Sequence, residues 1–205
     1  MISEKTPYFE KGTQNKGAII LSCPGQEEQK FNKPAAGSTG DNYNEISKYL
    51  IEDFHIDGFQ RGNVTITNSW HKVEYTGKGG TGRSEATLND IFEQNNLDRL
   101  ADELKDITDF IMCCGVNAKA VVEYLLSHKK LKNSCKIIYV PHLGNQGLNL
   151  TIKFTAKGKP IVAYKKASEK SINEKRSLKL IAKDNRLSRL KAVAQQISND
   201  IKSFR

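Results

Sequence analysis

Apolar residues are concentrated in four short runs along the chain. Each run is continuously apolar or alternates β-branched residues, and the first and the last stop at a proline. Runs of this length that end in turn residues are typical of buried strands. We therefore predict four β-strands, at residues 17–23, 63–70, 107–115 and 135–140.

Segments with apolar residues at helical spacing lie between these runs. They span residues 42–54, behind Asp41 as a candidate N-cap, 86–106 and 116–130. This alternation predicts an α/β fold with three layers, α/β/α, around a four-stranded and mainly parallel central sheet. Such sheets bind ligands beyond the carboxyl ends of their strands, so the loops that follow the four strands are expected to line the site.

The pattern changes near residue 165, where one long amphipathic helix is predicted. Its apolar residues form a single stripe that can pack on the domain or on a second copy of the chain. We divide the chain into an α/β domain at 1–164 and a basic, amphipathic helical extension at 165–205. The stripe consists of Leu180, Leu187, Leu190, Ala194, Ile197 and Ile201.

Positive charge is concentrated in the same extension. The 205 residues carry a net charge of +9, and residues 165–205 alone hold 12 basic and 4 acidic side chains, a net of +8. A basic tail favours a polyanionic partner such as DNA, and the alternative is a solvated, lysine-rich helix. The candidate phosphate contacts are Lys165, Lys166, Lys175, Arg176, Lys179, Arg186 and Arg189.

Several classes of protein do not fit the composition. No apolar run approaches the roughly 18 residues of a membrane helix, and the N-terminal residues lack the pattern of a signal peptide. We expect a cytoplasmic protein with no membrane partner. The four cysteines form no C-x-x-C pairs, so we predict reduced thiols, no metal site and no iron–sulfur cluster.

The loop after the first predicted strand contains the most specific motif of the chain. Residues 21–42 read LSCPGQEEQKFNKPAAGSTGDN. This stretch resembles the first motif of the uracil-DNA glycosylase superfamily, in particular the branch that reads G-E-A-P-G-x-x-E-D-x-x-G-x-P-F-V-G-x-A-G. The matching positions, in register and without a gap, are Pro24, Gly25, Glu28, Pro34, Gly37 and Gly40.

Two further positions extend the resemblance over roughly residues 17–150. Asn68 ends the second strand, where relatives read the polar edge of the extruded base, and His142 follows the fourth strand, as does the last motif of the family. The resemblance implies a DNA glycosylase that flips a base, hydrolyses its N-glycosidic bond with water and needs no cofactor. Asn68 is open to another interpretation, as a side chain that satisfies turn backbone groups.

The motif departs from the family pattern at its acidic position. Ser22 and Cys23 precede Pro24 where relatives carry a polar or acidic pair. We assign Glu28, with Glu27 as the alternative, to activate water or stabilise the sugar cation, and His142 to support the leaving base. Both glutamates are also consistent with a role in capping or solvating the loop.

A second departure concerns the base pocket. Ala35 stands where the family has a phenylalanine that stacks on uracil, and the lost ring leaves room for a larger base. We predict a modified, bulky pyrimidine of foreign or phage DNA as substrate. The alternatives are uracil repair and an inactive DNA-binding member of the fold. The predicted base-binding residues are Cys23, Gly25, Gln26, Ala35 and Asn68.

The remaining candidates are weaker. His55, His71 and His128 are expected to be surface or packing residues. The glycine-rich segment 76–82 lacks the order of a Walker loop, and we interpret it as a disordered connection or as a mobile loop over DNA phosphates.

Overall fold

Four parallel strands form the centre of the protein. The computed structural model describes residues 8–132, 134–162 and 177–203. The strands are β1 (Gly17–Leu21), β2 (Thr65–Asn68), β3 (Phe110–Cys114) and β4 (Lys136–Val140). The helices are α1 (Gln26–Phe31), α2 (Ser38–Glu52), α3 (Leu88–Ile91), α4 (Gln94–Leu104), α5 (Val116–Ser127), α6 (Asn145–Thr151) and α7 (Leu178–Ser203).

The strand order in the sheet is β2-β1-β3-β4, and every neighbouring pair is parallel. Leu21 at the end of β1 pairs with Asn68 at the end of β2, and Cys114 pairs with Val140 in the same way. All four strands therefore end at one edge of the sheet, which we call the carboxyl edge. The predicted parallel sheet is confirmed.

Helices cover both faces of the sheet. Alternate strand residues such as Ile19 and Met112 pack with α2 and α7, whereas Ile20 and Cys113 pack with α4 and α5. This alternation follows from the two-residue period of a strand, whose successive side chains point to opposite faces. The predicted three-layer α/β/α architecture is confirmed.

Several helix boundaries differ from the sequence-based expectation. Helix α2 begins at Ser38, after an N-cap at Gly37 with φ of +66°, so Asp41 lies in its first turn. The segment expected as one helix at 86–106 is divided, because Thr87 and Asp90 form a capping box for the short α3 and Glu93 is extended. Helices α1 and α6 lie in segments that we expected to be loops.

Helix α7 belongs to the same helical layer as α2, on one face of the sheet. Leu190, Ala194 and Ile197 of the predicted stripe are fully buried beside α2 and β4, together with Val193. Leu180, at the start of the helix, is exposed. Helix α7 thus contributes to the same core as the strands of the sheet.

The structure also bears on the expectations about membrane helices, cysteines and metal sites. Among the described residues no helix is both long and apolar enough to cross a membrane. All four cysteines are free thiols, with Cys113 and Cys114 buried in β3. Within those same residues no three His, Cys, Asp or Glu side chains are grouped so that they could hold a metal ion.

Candidate active site

The loop that contains the glycosylase-like motif begins with a short helix. Gly25 is the N-cap of α1, and the Glu28 carboxylate accepts a hydrogen bond from the Gly25 backbone N–H at 3.1 Å. Burial raises the pKa of Glu28 above its ordinary value, against hydrogen bonds from backbone N–H groups that lower it. Glu28 therefore caps its own helix, which is the structural role that the sequence also allowed.

The second half of this loop is held by an arginine that the sequence analysis did not identify. Arg61 donates hydrogen bonds to the carbonyl oxygens of Pro34, at 2.6 Å, and Ala35, at 3.1 Å. It also pairs with Glu10 at 2.8 Å. Ala35 is buried and has a φ of +48°, an uncommon conformation for a residue with a side chain. Arg61 thus fixes the segment in which a phenylalanine would stand in the family.

Two predicted base-binding residues, Cys23 and Gln26, and the alternative catalytic residue Glu27 lie just before α1 or in its first turn. Cys23 is half-buried, and burial together with the nearby Glu85 carboxylate raises the pKa of its thiol to about 12. Cys23 is therefore a neutral thiol at neutral pH and not a nucleophile. Gln26 and Glu27 are both exposed.

Asn68 lies at the carboxyl end of β2 and is only 2% exposed. Its Nδ2 donates to the Tyr8 carbonyl oxygen at 3.4 Å, whereas its buried Oδ1 has no hydrogen-bond partner among the residues that the structure describes. A buried acceptor without a partner carries a desolvation cost that a ligand with an N–H group would remove. The assignment of Asn68 as a base-reading residue stays a prediction.

His142 lies in the loop between β4 and α6, and its side chain is 35% exposed. The Gly144 backbone N–H donates to His142 Nδ1 at 3.0 Å, so the neutral imidazole carries its proton on Nε2. A Cβ at Gly147 would lie 2.9 Å from the His142 Cβ, and a Cβ at Gly115, whose φ is +98°, would lie 3.5 Å from the same atom. These close approaches hold His142 at the carboxyl edge with Nε2 as a donor.

A carboxylate that the sequence analysis missed faces this imidazole. Glu85 Oε1 lies 3.9 Å from His142 Nε2, and the Ser22 hydroxyl donates to Glu85 Oε2. Asn117 Nδ2 donates to Ser22 Oγ at 3.5 Å and to the Ala86 carbonyl oxygen at 2.9 Å. The loops after β1 and β4, the first turn of α5 and the loop before α3 therefore meet here. No spacing motif marks this residue in the sequence.

The loop that carries Glu85 is anchored to the domain. The Glu74 backbone N–H donates to the Pro24 carbonyl oxygen at 2.9 Å. The buried Glu74 carboxylate accepts hydrogen bonds from Arg83 and Thr81, and Arg83 also pairs with Asp90 at 2.8 Å. These contacts join the two ends of the glycine-rich segment 76–82, whose interpretation as a disordered connection or a mobile loop stays a prediction.

The anchor predicts a dependence of stability on pH. Burial of Glu74 opposes its ionisation, but the hydrogen bonds from Arg83 and Thr81 outweigh burial and hold its pKa below the ordinary value of 4.5. Because the folded state lowers this pKa, the stabilisation is present above pH 4.5 and is lost as the pH falls. We expect the melting temperature of Glu74→Gln to be lower at neutral pH and to change less on acidification. If the melting temperatures of the two proteins fell by equal amounts between pH 7 and about pH 3, this prediction would be wrong.

The basic residues assigned to phosphate differ in their surroundings. Lys179 is exposed at the start of α7, whereas Arg186 donates to Asn42 Oδ1 at 2.7 Å and the buried Arg189 donates to the Ile152 carbonyl oxygen at 3.1 Å. Both arginines thus form contacts within the fold. Four further candidates lie outside the described residues, namely Lys165, Lys166, Lys175 and Arg176.

The predicted site residues lie at the same carboxyl edge of the sheet, but they do not form one cluster. Asn68 ends β2 and His142 follows β4, which are the two outer strands of the sheet. Three inter-strand spacings of about 4.8 Å separate these strands by roughly 14 Å. Glu28 follows β1, between them, and contacts backbone rather than His142. The side chains that the fold does join are His142, Glu85 and Ser22.

Comparison with known proteins gives no independent assignment. The chain matches no protein-family model, and no curated protein matches its sequence. The likeness to uracil-DNA glycosylases therefore depends on the motif in residues 21–42, together with Asn68 and His142.

Proposed function

We propose that this chain is a monofunctional DNA glycosylase of the uracil-DNA glycosylase type. It extrudes a base from cytoplasmic DNA, hydrolyses the base–sugar bond with water and leaves an abasic site. The observation that carries the proposal is the imidazole of His142, fixed beside the Glu85 carboxylate at the carboxyl edge of a parallel sheet. Ligands of such sheets bind at this edge.

The chemistry of glycosidic hydrolysis suits these groups. Cleavage passes through a sugar with oxocarbenium character, which a carboxylate stabilises while it activates the attacking water. The departing base accumulates negative charge, which a fixed N–H donor stabilises. His142 Nε2 is such a donor, and the carboxylates of Glu28 and Glu85 both lie at the same edge.

The substrate we favour is a modified, bulky pyrimidine, such as a hydroxymethylated or glucosylated base of phage DNA. Ala35 has no ring to stack on a plain uracil, which favours a base larger than uracil. The Oδ1 of Asn68, which has no partner within the described part of the chain, supports a base-reading role, since it can accept an N–H of the base. Attack on such bases would direct the enzyme against foreign DNA.

DNA is the partner that the charge favours. The net charge of +9 provides the long-range attraction to phosphate that non-specific binding requires. Lys72 and Lys78 are exposed in the segment between β2 and α3, and Lys179 is exposed on α7. Phosphate contacts of this kind offset the cost of a few kcal/mol for extruding a base.

The proposal is tested by incubating the wild-type protein with DNAs that contain only normal bases, uracil, or hydroxymethylated and glucosylated cytosine. Alkali-labile sites are then quantified. We expect such sites in the modified DNA and few in the uracil DNA. Strong cleavage of uracil DNA alone would assign the protein to repair of deaminated bases. Binding of every DNA with no alkali-labile sites would identify a DNA-binding module without activity and overturn the proposal.

A further inference from the structure

The position of the usual motif carboxylate is occupied by Ser22. Its side chain is buried at the carboxyl end of β1, and its hydroxyl donates to the Glu85 carboxylate. A serine cannot act as the base that takes a proton from water at neutral pH. It can, however, hold a carboxylate that another segment supplies.

The hydrogen-bond network gives Ser22 one orientation. Because Asn117 Nδ2 donates to Ser22 Oγ, the serine proton is directed to Glu85 Oε2. The other carboxylate oxygen, Oε1, faces His142 Nε2 at 3.9 Å. Glu85 is therefore fixed at one oxygen and available at the other, and its side chain remains 48% exposed to the solvent that supplies water.

The loop that carries Glu85 is fixed on both sides of this residue. Before it, the Glu74 carboxylate accepts hydrogen bonds from Arg83, and Arg83 pairs with Asp90. After it, the Ala86 carbonyl oxygen accepts a hydrogen bond from Asn117. Glu85 thus lies between two anchored points of the loop, which is the rigidity that a reacting group requires.

The motif glutamate has a different environment. Glu28 Oε2 accepts the Gly25 backbone N–H, which is the half of a capping box that a glycine N-cap, without a side chain, can form. A carboxylate that satisfies the first turn of its own helix loses that contact if it turns toward a substrate.

We infer that Glu85 is the catalytic carboxylate, supplied by the loop between β2 and α3 in place of the acid that Ser22 has replaced. The inference rests on the proposed glycosylase function. Glu85 accepts a proton from water as the water oxygen bonds to C1′ of the sugar. The C1′–N bond breaks, and its electron pair leaves with the base, which His142 stabilises. The proton on Glu85 then passes to the base, so the products are a free base and an abasic sugar.

The test compares single-turnover rates of abasic-site formation for the wild type, Glu85→Gln, Glu85→Asp and Glu28→Gln. Glu93→Gln, at an exposed position between α3 and α4, is the matched control. DNA affinity is measured in parallel by fluorescence anisotropy with the same oligonucleotide. We expect Glu85→Gln to lower the rate about 100-fold with an affinity within about threefold of wild type, and Glu28→Gln to lower it less than about tenfold. Glu85→Asp should retain more of the rate than Glu85→Gln.

A loss below about tenfold in Glu85→Gln, or a rate loss matched by an equal loss of affinity, overturns the inference. So does a Glu28→Gln protein that is slower than Glu85→Gln. A wild type that forms no abasic site in any DNA overturns the proposed function instead, so the two failures are distinguishable.

Discussion

Replacement of His142 by alanine is expected to slow release of the base by about 10²–10³-fold, which is the usual cost of removing one donor to a developing anion. The Gly144 N–H on Nδ1 fixes the imidazole with its Nε2 proton available for the leaving base. The variant should bind DNA as the wild type does, because the lost donor acts mainly in the transition state. Single-turnover formation of alkali-labile sites measures the effect.

His128→Ala is the matched control. His128 is exposed at the end of α5 and stacks on Tyr124, away from the carboxyl edge. We expect this variant to react at the wild-type rate. A His142→Ala protein within about threefold of the control would remove His142 from the reaction.

Replacement of Arg61 by alanine is expected to lower the free energy of unfolding by about 2–3 kcal/mol, because it leaves partly buried groups without their charged partner. The Arg61 and Glu10 side chains are 17% and 27% exposed, so solvent screens the pair only in part. The carbonyl oxygens of Pro34 and Ala35 lose their donor in the same variant. Urea denaturation measures the change.

Lys33→Ala provides a control on the same carboxylate. Lys33 approaches Glu10 at 3.8 Å but is 53% exposed, and surface pairs of this kind contribute about 0–1 kcal/mol. Arg61→Lys should recover only part of the stability, because one ammonium group cannot bind Glu10 and both carbonyl oxygens. Equal stabilities of Arg61→Ala and Lys33→Ala would contradict the role of Arg61.

The strands and their parallel arrangement could be predicted because each is an apolar run bounded by turn residues. Helix α1 could not, because none of its six residues is buried and it therefore has no apolar stripe. The same applies to α6, in which only Leu148 is buried. Short helices formed mainly by capping contacts leave little trace in hydrophobic periodicity.

The residues of the candidate site could also be predicted from the sequence only in part. The loop position of His142 followed from the order of the strands and from the motif. Glu85 did not, because it lies 63 residues from the Ser22 hydroxyl that holds it, and only the folded chain joins them. Arg61 is separated from Glu10 by 51 residues and from Ala35 by 26, and it was missed for the same reason. Contacts between distant loops have no periodic signal in a single sequence.

The proposed hydrolysis of the base–sugar bond is tested most directly by its products. Wild-type protein is incubated with DNA that contains hydroxymethylated or glucosylated cytosine, and the released bases are quantified by mass spectrometry beside the abasic sites. We predict intact modified base and abasic sites in equal molar amounts. DNA that is bound but releases no free base would contradict it.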